Sequence, residues 1–419
     1  MRTEEAAVNE QGQLLRSMLA AAIVLVSSAS PAQSTRPTSP YATRGTCAGY
    51  PRIDLQTLPG HCVALLADGS SGLRFPRRIL EVAPGRFWLV DMGSWEAGRG
   101  RLLEFTLPAP GERATPLIFA VLADKLDRPL GLALGPDGRI WLGEAGRISR
   151  TAIGPAGAPV HLQTVIDGLP ASGAHPLKEI VFGANGKLYL NVGSASDACR
   201  DDAGQQAVPC PETEGAQPRA AVYEAILGGA DFALQSLQPY ARGLRNSVAL
   251  AFVAGPNVLL QGENSIDYPD ETMPAEELNV LREGAHYGWP YCVGAGIPAR
   301  GYEGRFDCGK SQAPAMLWPA HAAPLQMIAV PATAKNGFAG QLLVAWHGYR
   351  AGGHRVVSFA LDKQGKPAGT PRVWIGGWTA APGVRPLGAP TGLAIDRAGR
   401  LLVVEDRHKT LLMLARDER

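Results

Sequence analysis

Hydrophobic residues fall into six similar hairpins that begin near residue 75. In each hairpin an apolar strand leads to a short turn containing glycine, and a second, more hydrophobic strand follows, as in ILEVAPGRFWLVD and GLAIDRAGRLLVVED. The turn glycines lie 48 to 85 residues apart, at Gly85, Gly138, Gly186, Gly255, Gly340 and Gly399. This period predicts an all-β fold, a six-bladed β-propeller of four-stranded antiparallel blades with insertions of unequal length.

The two ends of the propeller region are predicted to close the ring. After the sixth hairpin only one strand remains, at residues 410–414, so the last blade lacks its fourth strand. The apolar stretch HCVALLA at residues 61–67 precedes the first complete blade and can supply that strand. A solenoid or a sandwich is the alternative, but neither explains six near-equivalent hairpins with a spare strand at each end.

The first 32 residues are typical of a signal peptide. Arg16 precedes an apolar run from Met18 to Val26, and small residues lead to a cleavage site near Ala32. The run is too short to span a bilayer comfortably. Because the segment before it is long and acidic, translation is expected to begin near Met18. Residues 33–54 are expected to form a flexible lead-in, and residues 55–416 a single propeller domain.

Composition and motif content exclude several functions. Forty Lys and Arg against 38 Asp and Glu give a net charge of +2, which offers no signal for nucleic acid or another polyanion. The sequence contains no HExxH or CxxC zinc spacing and no GxGxxG or Walker motif for phosphate.

The six cysteines fall into three local pairs. In an exported protein such pairs are expected to form disulfides, each closing a short loop, whereas buried free thiols are the alternative. The pairs are Cys47 with Cys62, Cys199 with Cys210, and Cys292 with Cys308.

Propeller geometry brings polar residues from distant parts of the chain to one face. Residues before each inner strand emerge beside the central channel, and so do residues after the second strand. The first set contains Arg77, Arg78, Asp127, Arg128, His175, Lys178, Arg245, Asn246, His321, Gly388 and Ala389. The second set contains Asp91, Glu144, Ser194, Ser196, Glu263, Asn264, His347 and Asp406. A polar, charged pocket at the axis is therefore predicted.

Two groups of residues at this face suggest chemistry. His175 directly precedes an inner strand, where a neutral imidazole can act as a general base, although a histidine that caps a turn is the alternative. Arg245 and Asn246 precede the fourth inner strand, and residues 262–267 follow its partner. Cationic and oxygen-rich groups at one end of a hairpin suit an anion bound together with Ca²⁺. The alternatives are an arginine that braces loops and a solvated acidic loop.

The stretch from Tyr240 to Cys292 resembles a known family. It contains RGLRN, two strands, an acidic loop, EELN and REGAHYGWPYC; HPLKEIVFGANGKLYLNVGSAS precedes it and FAGQLLVAWHG follows. These motifs resemble the glucose/sorbosone dehydrogenase family, the soluble sugar dehydrogenases that use pyrroloquinoline quinone (PQQ) on a six-bladed β-propeller. The resemblance covers roughly residues 55–415 and implies PQQ and Ca²⁺ as cofactors.

The resemblance also implies roles for single residues. His175 is expected to remove the proton of the sugar's anomeric hydroxyl, and Arg245 to stabilise the negative charge that develops as hydride is transferred. The residues expected to bind PQQ are Arg245, Asn246, Arg128, His347, Arg350 and Arg385. The residues expected to hold Ca²⁺ are Ser265 and Ile266, through backbone carbonyls, with Glu263 and Asn264 beside them. The chain departs from the family at Ala389, where an arginine is usual, and Arg385 is the expected substitute.

These observations favour an exported PQQ- and Ca²⁺-dependent dehydrogenase, periplasmic or secreted, that oxidises an aldose or an aldehyde such as sorbosone. The sequence has no CxxCH haem motif, so the electron acceptor is expected to be a separate molecule. One alternative is a calcium-dependent lactonase with Glu144, Glu263, Asn264 and Asp406 as direct ligands. The other is a non-catalytic propeller that binds a carbohydrate or a protein partner.

Overall fold

Six four-stranded antiparallel blades form the predicted β-propeller in the computed structural model, which describes residues 41–184, 186–201, 203–215, 217–378 and 388–417. Blades 1 to 3 contain Pro76–Ala83, Arg86–Asp91, Gly100–Thr106 and Ala120–Leu126; Leu132–Leu134, Ile140–Gly143, Ile148–Thr151 and Gln163–Ile166; and Ile180–Phe182, Leu188–Val192, Ala221–Gly228 and Ala233–Arg242. Blades 4 to 6 contain Ala249–Val253, Val258–Glu263, Glu276–Val280 and Met316–Trp318; Pro324–Ala329, Gln341–Trp346, Arg355–Leu361 and Pro367–Gly376; and Pro390–Ile395, Leu401–Glu405, Thr410–Arg416 and His61–Ala67.

The ring closes as the sequence predicts. His61–Ala67 pairs antiparallel with Thr410–Arg416, so a strand from before blade 1 becomes the outer strand of blade 6. Two further strands, Tyr50–Ile53 and Thr43–Cys47, extend the same sheet outward. Gln56–Thr57 adds a fifth strand to blade 5. Residues 43–53, which the sequence analysis assigned to the lead-in, are thus strands of the sheet.

The predicted disulfides form at all three cysteine pairs. Cys47–Cys62 ties the added strands to blade 6. The other two hold long insertions of blades 3 and 4, and these insertions pack against each other through Tyr291. The Tyr291 hydroxyl accepts from the Cys210 N–H at 2.6 Å, and its ring stacks on Phe306 at 4.3 Å. Two separate insertions therefore form one wall beside the mouth of the ring.

Large aromatic side chains fill the spaces between blades. Trp88 packs with residues of blade 2, and Trp141 with residues of blade 3. Trp346 is 1% exposed and packs against Trp318 and Phe359 between blades 4 and 5. Burial of each such ring contributes about 2–3 kcal/mol of transfer free energy. Second strands are therefore hydrophobic on both faces because both face a neighbouring blade.

None of the described residues forms a helix that is long and apolar enough to cross a membrane.

A buried arginine occupies the centre of the ring. Arg78 is 1% exposed, and its Nε donates to Glu179 Oε2 at 2.6 Å. Its terminal nitrogens donate to four backbone carbonyls at 2.6 to 3.1 Å, those of Arg77, Thr391, Val248 and Leu325. These carbonyls lie in or directly before blades 1, 6, 4 and 5, and Glu179 directly precedes blade 3. One guanidinium with all its N–H donors in use therefore joins five blades.

Three β-bulges supply carbonyls to Arg78. The first strands of blades 1, 5 and 6 each begin with proline, and the pairing register shifts across the residue that follows. That residue is Arg77, Leu325 or Thr391, and in each case its carbonyl accepts from Arg78. A bulge leaves one residue without a ladder partner and redirects it. The bulges thus turn three carbonyls towards the axis.

Replacement of Arg78 by methionine is expected to lower the free energy of unfolding by about 3–5 kcal/mol, because Glu179 is left buried without its cation. The measurement is denaturant unfolding followed by circular dichroism. The control is Arg99→Met, since Arg99 pairs with Glu96 through side chains that are 64% and 72% exposed and such pairs contribute at most ~1 kcal/mol. Equal costs for the two variants would show that the central contacts do not hold the ring.

Candidate active site

A cavity of about 760 Å³ lies above Arg78, on the face where the inner strands begin. Val248 and Leu325, whose carbonyls bind Arg78, are part of its lining. Its polar and aromatic lining consists of Phe75, Arg77, Trp95, His175, Arg245, Asn246, Asn264, Ser265, Asp267, Tyr268, Glu276, His321, His347, Tyr349 and Arg350. Seven of these residues were among those that the propeller geometry placed at one mouth: Arg77, His175, Arg245, Asn246, Asn264, His321 and His347.

Seven of the expected site residues line this one cavity: His175, Arg245, Asn246, Asn264, Ser265, His347 and Arg350. Three others do not line it. Arg128 forms an ion pair with its neighbour Asp127 at 2.7 Å, and Glu263 and Ile266 are buried behind the wall. Arg385 lies outside the described residues.

The surroundings of His175 determine which ring nitrogen carries the proton. Nδ1 lies 2.8 Å from Ser194 Oγ and 3.2 Å from the Ser194 carbonyl. The Ser194 hydroxyl donates its own proton to the Ser196 carbonyl at 2.6 Å. Both atoms facing Nδ1 are therefore acceptors, so Nδ1 must carry the hydrogen and donate. Nε2 is left unprotonated, which is the state required of a base.

The imidazole of His175 is also kept neutral. Burial, and after it the charge of the nearby Arg245 guanidinium, lower its pKa from 6.5 to about 3. A histidine with this pKa is uncharged throughout the neutral range. His175 is thus a neutral acceptor directed into a cavity that also contains cations.

Arg245 is held on the cavity wall by four contacts. Its Nε donates to the Asp197 carbonyl at 3.1 Å and its Nη1 to the Asn264 carbonyl at 3.0 Å. Its Nη2 forms ion pairs with Asp197 and Asp267 at 2.7 and 2.9 Å. The Arg245 side chain is 5% exposed, whereas those of Asp197 and Asp267 are 42% and 79% exposed. Ion pairs with exposed partners are weak, so an anionic ligand can displace these carboxylates from the guanidinium.

Glu263, which is buried behind the cavity wall, positions the backbone of Arg245 and Asn246. Its Oε1 accepts the backbone N–H of Arg245 at 2.6 Å and that of Asn246 at 3.4 Å. Burial and the neighbouring Glu277 raise the pKa of Glu263 well above its ordinary value. The carboxyl group therefore acts as a support for the two residues rather than as an open ligand.

The side chains of the 263–267 loop do not form a calcium site. The Asn264 amide donates to the Asn246 and Pro324 carbonyls, and the Asn264 carbonyl is taken by Arg245. The Ile266 carbonyl accepts from the Tyr268 N–H at 2.9 Å. Within the described ranges, no three or more His, Cys, Asp or Glu side chains are placed to hold a metal ion. Ca²⁺ normally takes six to eight oxygen ligands, so these residues do not fit it by themselves.

Arg77 is a cavity residue that the sequence analysis placed at this face but to which it assigned no role. It is 4% exposed, its Nη1 pairs with Asp406 at 3.1 Å, and its Nε has no hydrogen-bond partner. Asp406 also accepts from His347 Nε2 at 3.1 Å. Arg77 lies at the start of the inner strand of blade 1, and nothing in the sequence shows the bulge that separates it from Arg78. A buried guanidinium with an unused N–H, on a residue that lines a cavity, fits an anionic group.

His347 and Arg350 have different surroundings. His347 is 5% exposed and is bound to Asp406. Arg350 donates to the Pro269 and Asp270 carbonyls at 3.1 and 3.0 Å. It also pairs with Glu271 at 3.1 Å. Arg350 therefore braces the loop that borders the cavity.

The sequence profile of the glucose/sorbosone dehydrogenase family matches residues 147–374, which is more than half of the chain. The chain belongs to this family. The match spans blades 3 and 4 completely and includes His175, Arg245 and the 262–267 loop. No curated protein matches the chain.

Solved structures similar to this glucose/sorbosone dehydrogenase family member share its fold. The holo form of the PQQ domain of a pyranose dehydrogenase from Coprinopsis cinerea is 21% identical, with a TM-score of 0.68 over 88% of this chain and 99% of that one. A family AA12 carbohydrate-active enzyme from Trichoderma reesei is 19% identical, with a TM-score of 0.65 over 90% and 100%. The PQQ-bound aldose sugar dehydrogenase from Streptomyces coelicolor is 19% identical, with a TM-score of 0.55 over 86% and 99%.

The residues of the lactonase alternative do not converge in this family member. Glu144 accepts from the Asp127 N–H at 2.8 Å and pairs with Arg147 at 2.7 Å, away from the cavity. Asp406 is bound to Arg77 and His347, and Glu263 supports Arg245. Each carboxylate is thus engaged by its own protein partner.

His175 is expected to remain neutral from pH 8 to pH 5, with its proton on Nδ1, because its folded pKa of about 3 lies below this range. Nitrogen-15 NMR of the imidazole would measure both the charge and the tautomer. In Ser194→Ala one of the two acceptors facing Nδ1 is lost, so the Nε2-protonated tautomer should become detectable. A wild-type titration near pH 6.5, or a proton on Nε2, would contradict this assignment.

Proposed function

We propose that this protein is a PQQ-dependent sugar dehydrogenase that oxidises an aldose or sugar aldehyde and passes electrons to a separate acceptor. The observation that carries the proposal is the position of His175: a neutral histidine with Nε2 available lines the same cavity as Arg77 and Arg245. Family membership and the PQQ named for two of the similar structures support the same reaction. When bound, PQQ supplies a two-electron acceptor for the hydride that leaves the sugar carbon.

The cavity has the groups that a planar, anionic quinone requires. Arg77 offers a buried, unused N–H, and Arg245 can exchange its exposed carboxylate partners for a ligand. Asn246 lies beside Arg245 and adds an amide. Guanidinium and amide donors in a poorly solvated cavity suit carboxylate and quinone oxygens. Arg77, Arg245 and Asn246 are therefore the residues proposed to hold PQQ.

The chain's own contribution to the reaction centres on one proton. His175 Nε2 accepts the proton of the hydroxyl group on the carbon that is oxidised, while Nδ1 remains bonded to Ser194. When it accepts the proton, the imidazole becomes a cation near the Arg245 guanidinium. Repulsion between the two positive charges disfavours the imidazolium and promotes release of the proton to solvent. Arg245 and Arg77 provide fixed positive charge where negative charge develops.

The proposed reaction contains no step for Ca²⁺, the ion that the family resemblance implies. The protein side chains at residues 263–267 are already engaged, so any bound Ca²⁺ would depend on backbone carbonyls and on the other ligand in the cavity. The side chain that the family usually provides before the last inner strand is absent at Ala389, which is buried and donates its N–H to Glu405. Arg77, bound to Asp406 of blade 6, is proposed to supply that positive charge.

We further propose that residues 1–32 direct export and that residues 55–416, together with the added strands at residues 43–53, act as one domain. Three disulfides and the absence of a free cysteine among the described residues are consistent with an oxidising compartment such as the periplasm.

His175→Ala is expected to lower the turnover number for aldose oxidation about 10²- to 10⁴-fold, the usual contribution of a general base, while PQQ still binds. Purified protein is loaded with PQQ and Ca²⁺, and reduction of an artificial electron acceptor is followed after sugar is added. Arg128→Ala is the matched control: Arg128 was also expected at the site but lies outside the cavity, so its activity should equal that of the wild type. Unchanged turnover in His175→Ala would rule out its role as base.

Ca²⁺ alone is expected to bind weakly to the cofactor-free protein, with a dissociation constant above ~1 mM, because too few free oxygen ligands are present for tighter binding. Titration calorimetry of the purified, chelator-treated protein measures this directly, and repeating it with PQQ present shows whether the ligand completes the site. Micromolar binding without PQQ would show that the protein groups form a calcium site by themselves.

A further inference from the structure

One tryptophan of the chain is placed unlike all the others. Trp95 is 56% exposed, whereas Trp88, Trp141, Trp289, Trp318, Trp346, Trp374 and Trp378 are each at most 5% exposed. Exposure of such a large apolar ring to water is unfavourable, and exposed aromatic groups commonly mark binding surfaces. Trp95 lines the same cavity as His175 and Arg245.

A short loop of blade 1, anchored at Gly93, carries Trp95 at the rim. The buried carboxylate of Asp91 accepts from the Phe75 N–H at 2.6 Å and from the Gly93 N–H at 3.2 Å, so one group anchors both segments. Gly93 has φ of 75°, and a side chain there would collide with the Arg99 carbonyl. Asp91 is itself fully buried and paired with Arg101. The backbone at Phe75 and the turn that leads to Trp95 are therefore held by the same carboxylate.

Trp95 belongs to a mixed aromatic and cationic surface. The Phe75 and Trp95 ring centroids are 6.4 Å apart in an edge-on arrangement. The Arg77 guanidinium lies 4.1 Å from the Phe75 centroid and 5.8 Å from that of Trp95. We name Phe75, Arg77 and Trp95 the rim platform. It combines an apolar face with N–H donors, as the face of a sugar ring and its hydroxyl groups require.

Trp95 is much more exposed than the residues of the proposed cofactor site, so it lies nearer to solvent than they do. Arg77 and Arg245 are each 4% exposed, so a ligand bound to them lies deep in the cavity. Trp95 stands at the mouth, where a substrate that enters after the cofactor would be found. His175 directly precedes blade 3 and Trp95 belongs to blade 1, so the two residues border the cavity from different sides. The cavity of about 760 Å³ contains both residues, so a saccharide bound through one unit at His175 can extend towards Trp95.

We propose that Trp95 is a carbohydrate subsite: the substrate is a saccharide of two or more units, and a unit that does not react stacks on the indole ring. This rests on the proposed sugar dehydrogenase function and narrows its substrate class from a free monosaccharide to an oligosaccharide. Stacking on the indole ring is expected to raise the affinity for the saccharide about three- to tenfold, which corresponds to about 0.7–1.4 kcal/mol.

Acrylamide quenching of tryptophan fluorescence tests the subsite, because Trp95 is the only one of the eight tryptophans that the quencher reaches readily. The probes are glucose, maltose and cellobiose, each added to the protein with and without PQQ. At least one disaccharide should protect Trp95 at concentrations where glucose does not. Protection by PQQ alone, with no further effect of either disaccharide, would assign the ring to the cofactor and overturn the proposal, as would no protection in either state.

Calorimetric titration of variants supplies the second readout. Trp95→Ala should bind the protecting disaccharide three- to tenfold more weakly while its affinity for glucose changes less than twofold, and Trp95→Phe should restore most of the loss. Leu134→Ala, at a residue that is also 56% exposed but lies outside the cavity, should bind both sugars as the wild type does. Undiminished disaccharide binding by Trp95→Ala would refute the subsite.

These outcomes also separate the subsite from the proposed function. Disaccharide binding that depends on Trp95, without oxidation by the PQQ-loaded protein, would support the subsite and contradict the dehydrogenase proposal. Sugar oxidation with Trp95 fully open to the quencher would support the dehydrogenase and contradict the subsite.

Discussion

The structure depends on a single buried guanidinium at the centre of the ring. Arg78 uses all its N–H groups on Glu179, on the carbonyl of its neighbour Arg77 and on carbonyls from three other parts of the chain, so five blades are fixed relative to one another at one point. Burial of a charge is costly unless it is paired and fully hydrogen-bonded, and Arg78 meets both conditions. The same contacts form the floor of the cavity, since Val248 and Leu325 line the cavity and bind Arg78 through their carbonyls.

The candidate site above this floor contains buried cations and a neutral histidine, His175. Arg77 and Arg245 are buried, yet their neighbours leave capacity for a ligand: Arg77 has an unused N–H, and the partners of Arg245 are carboxylates open to solvent. The pKa of His175 falls because it is buried beside Arg245. Burial therefore has two consequences: His175 stays a neutral base, and the two arginines remain fixed cations beside it. Such a site suits proton removal next to an electron-accepting group.

Much of the fold follows from the sequence because its signals are local. The hydrophobic hairpins, the spare strand at residues 61–67 and the three cysteine pairs each appear in the structure as predicted. The convergence of His175, Arg245 and Asn246 also follows, because every inner strand of a propeller begins at the same face. What the sequence does not contain is the direction of each side chain at the strand entrances.

The site differs from the sequence prediction where a side chain points in a direction that the sequence does not reveal. Glu263 and Ile266 precede or follow cavity residues in the chain but turn inwards, since backbone N–H groups capture the Glu263 carboxylate and an aromatic cluster surrounds Ile266. Arg128 is held by Asp127, while a bulge turns Arg77 away from Arg78 and into the cavity. A bulge depends on pairing between strands, and the pattern of a single strand does not reveal it.

The most direct test of this account is a crystal structure of the protein grown with PQQ and a sugar. The account predicts the quinone within the cavity above Arg78, with anionic oxygens on Arg77 and Arg245 and the sugar hydroxyl within hydrogen-bonding distance of His175 Nε2. A quinone bound elsewhere, or a sugar whose reacting hydroxyl lies away from His175, would contradict it.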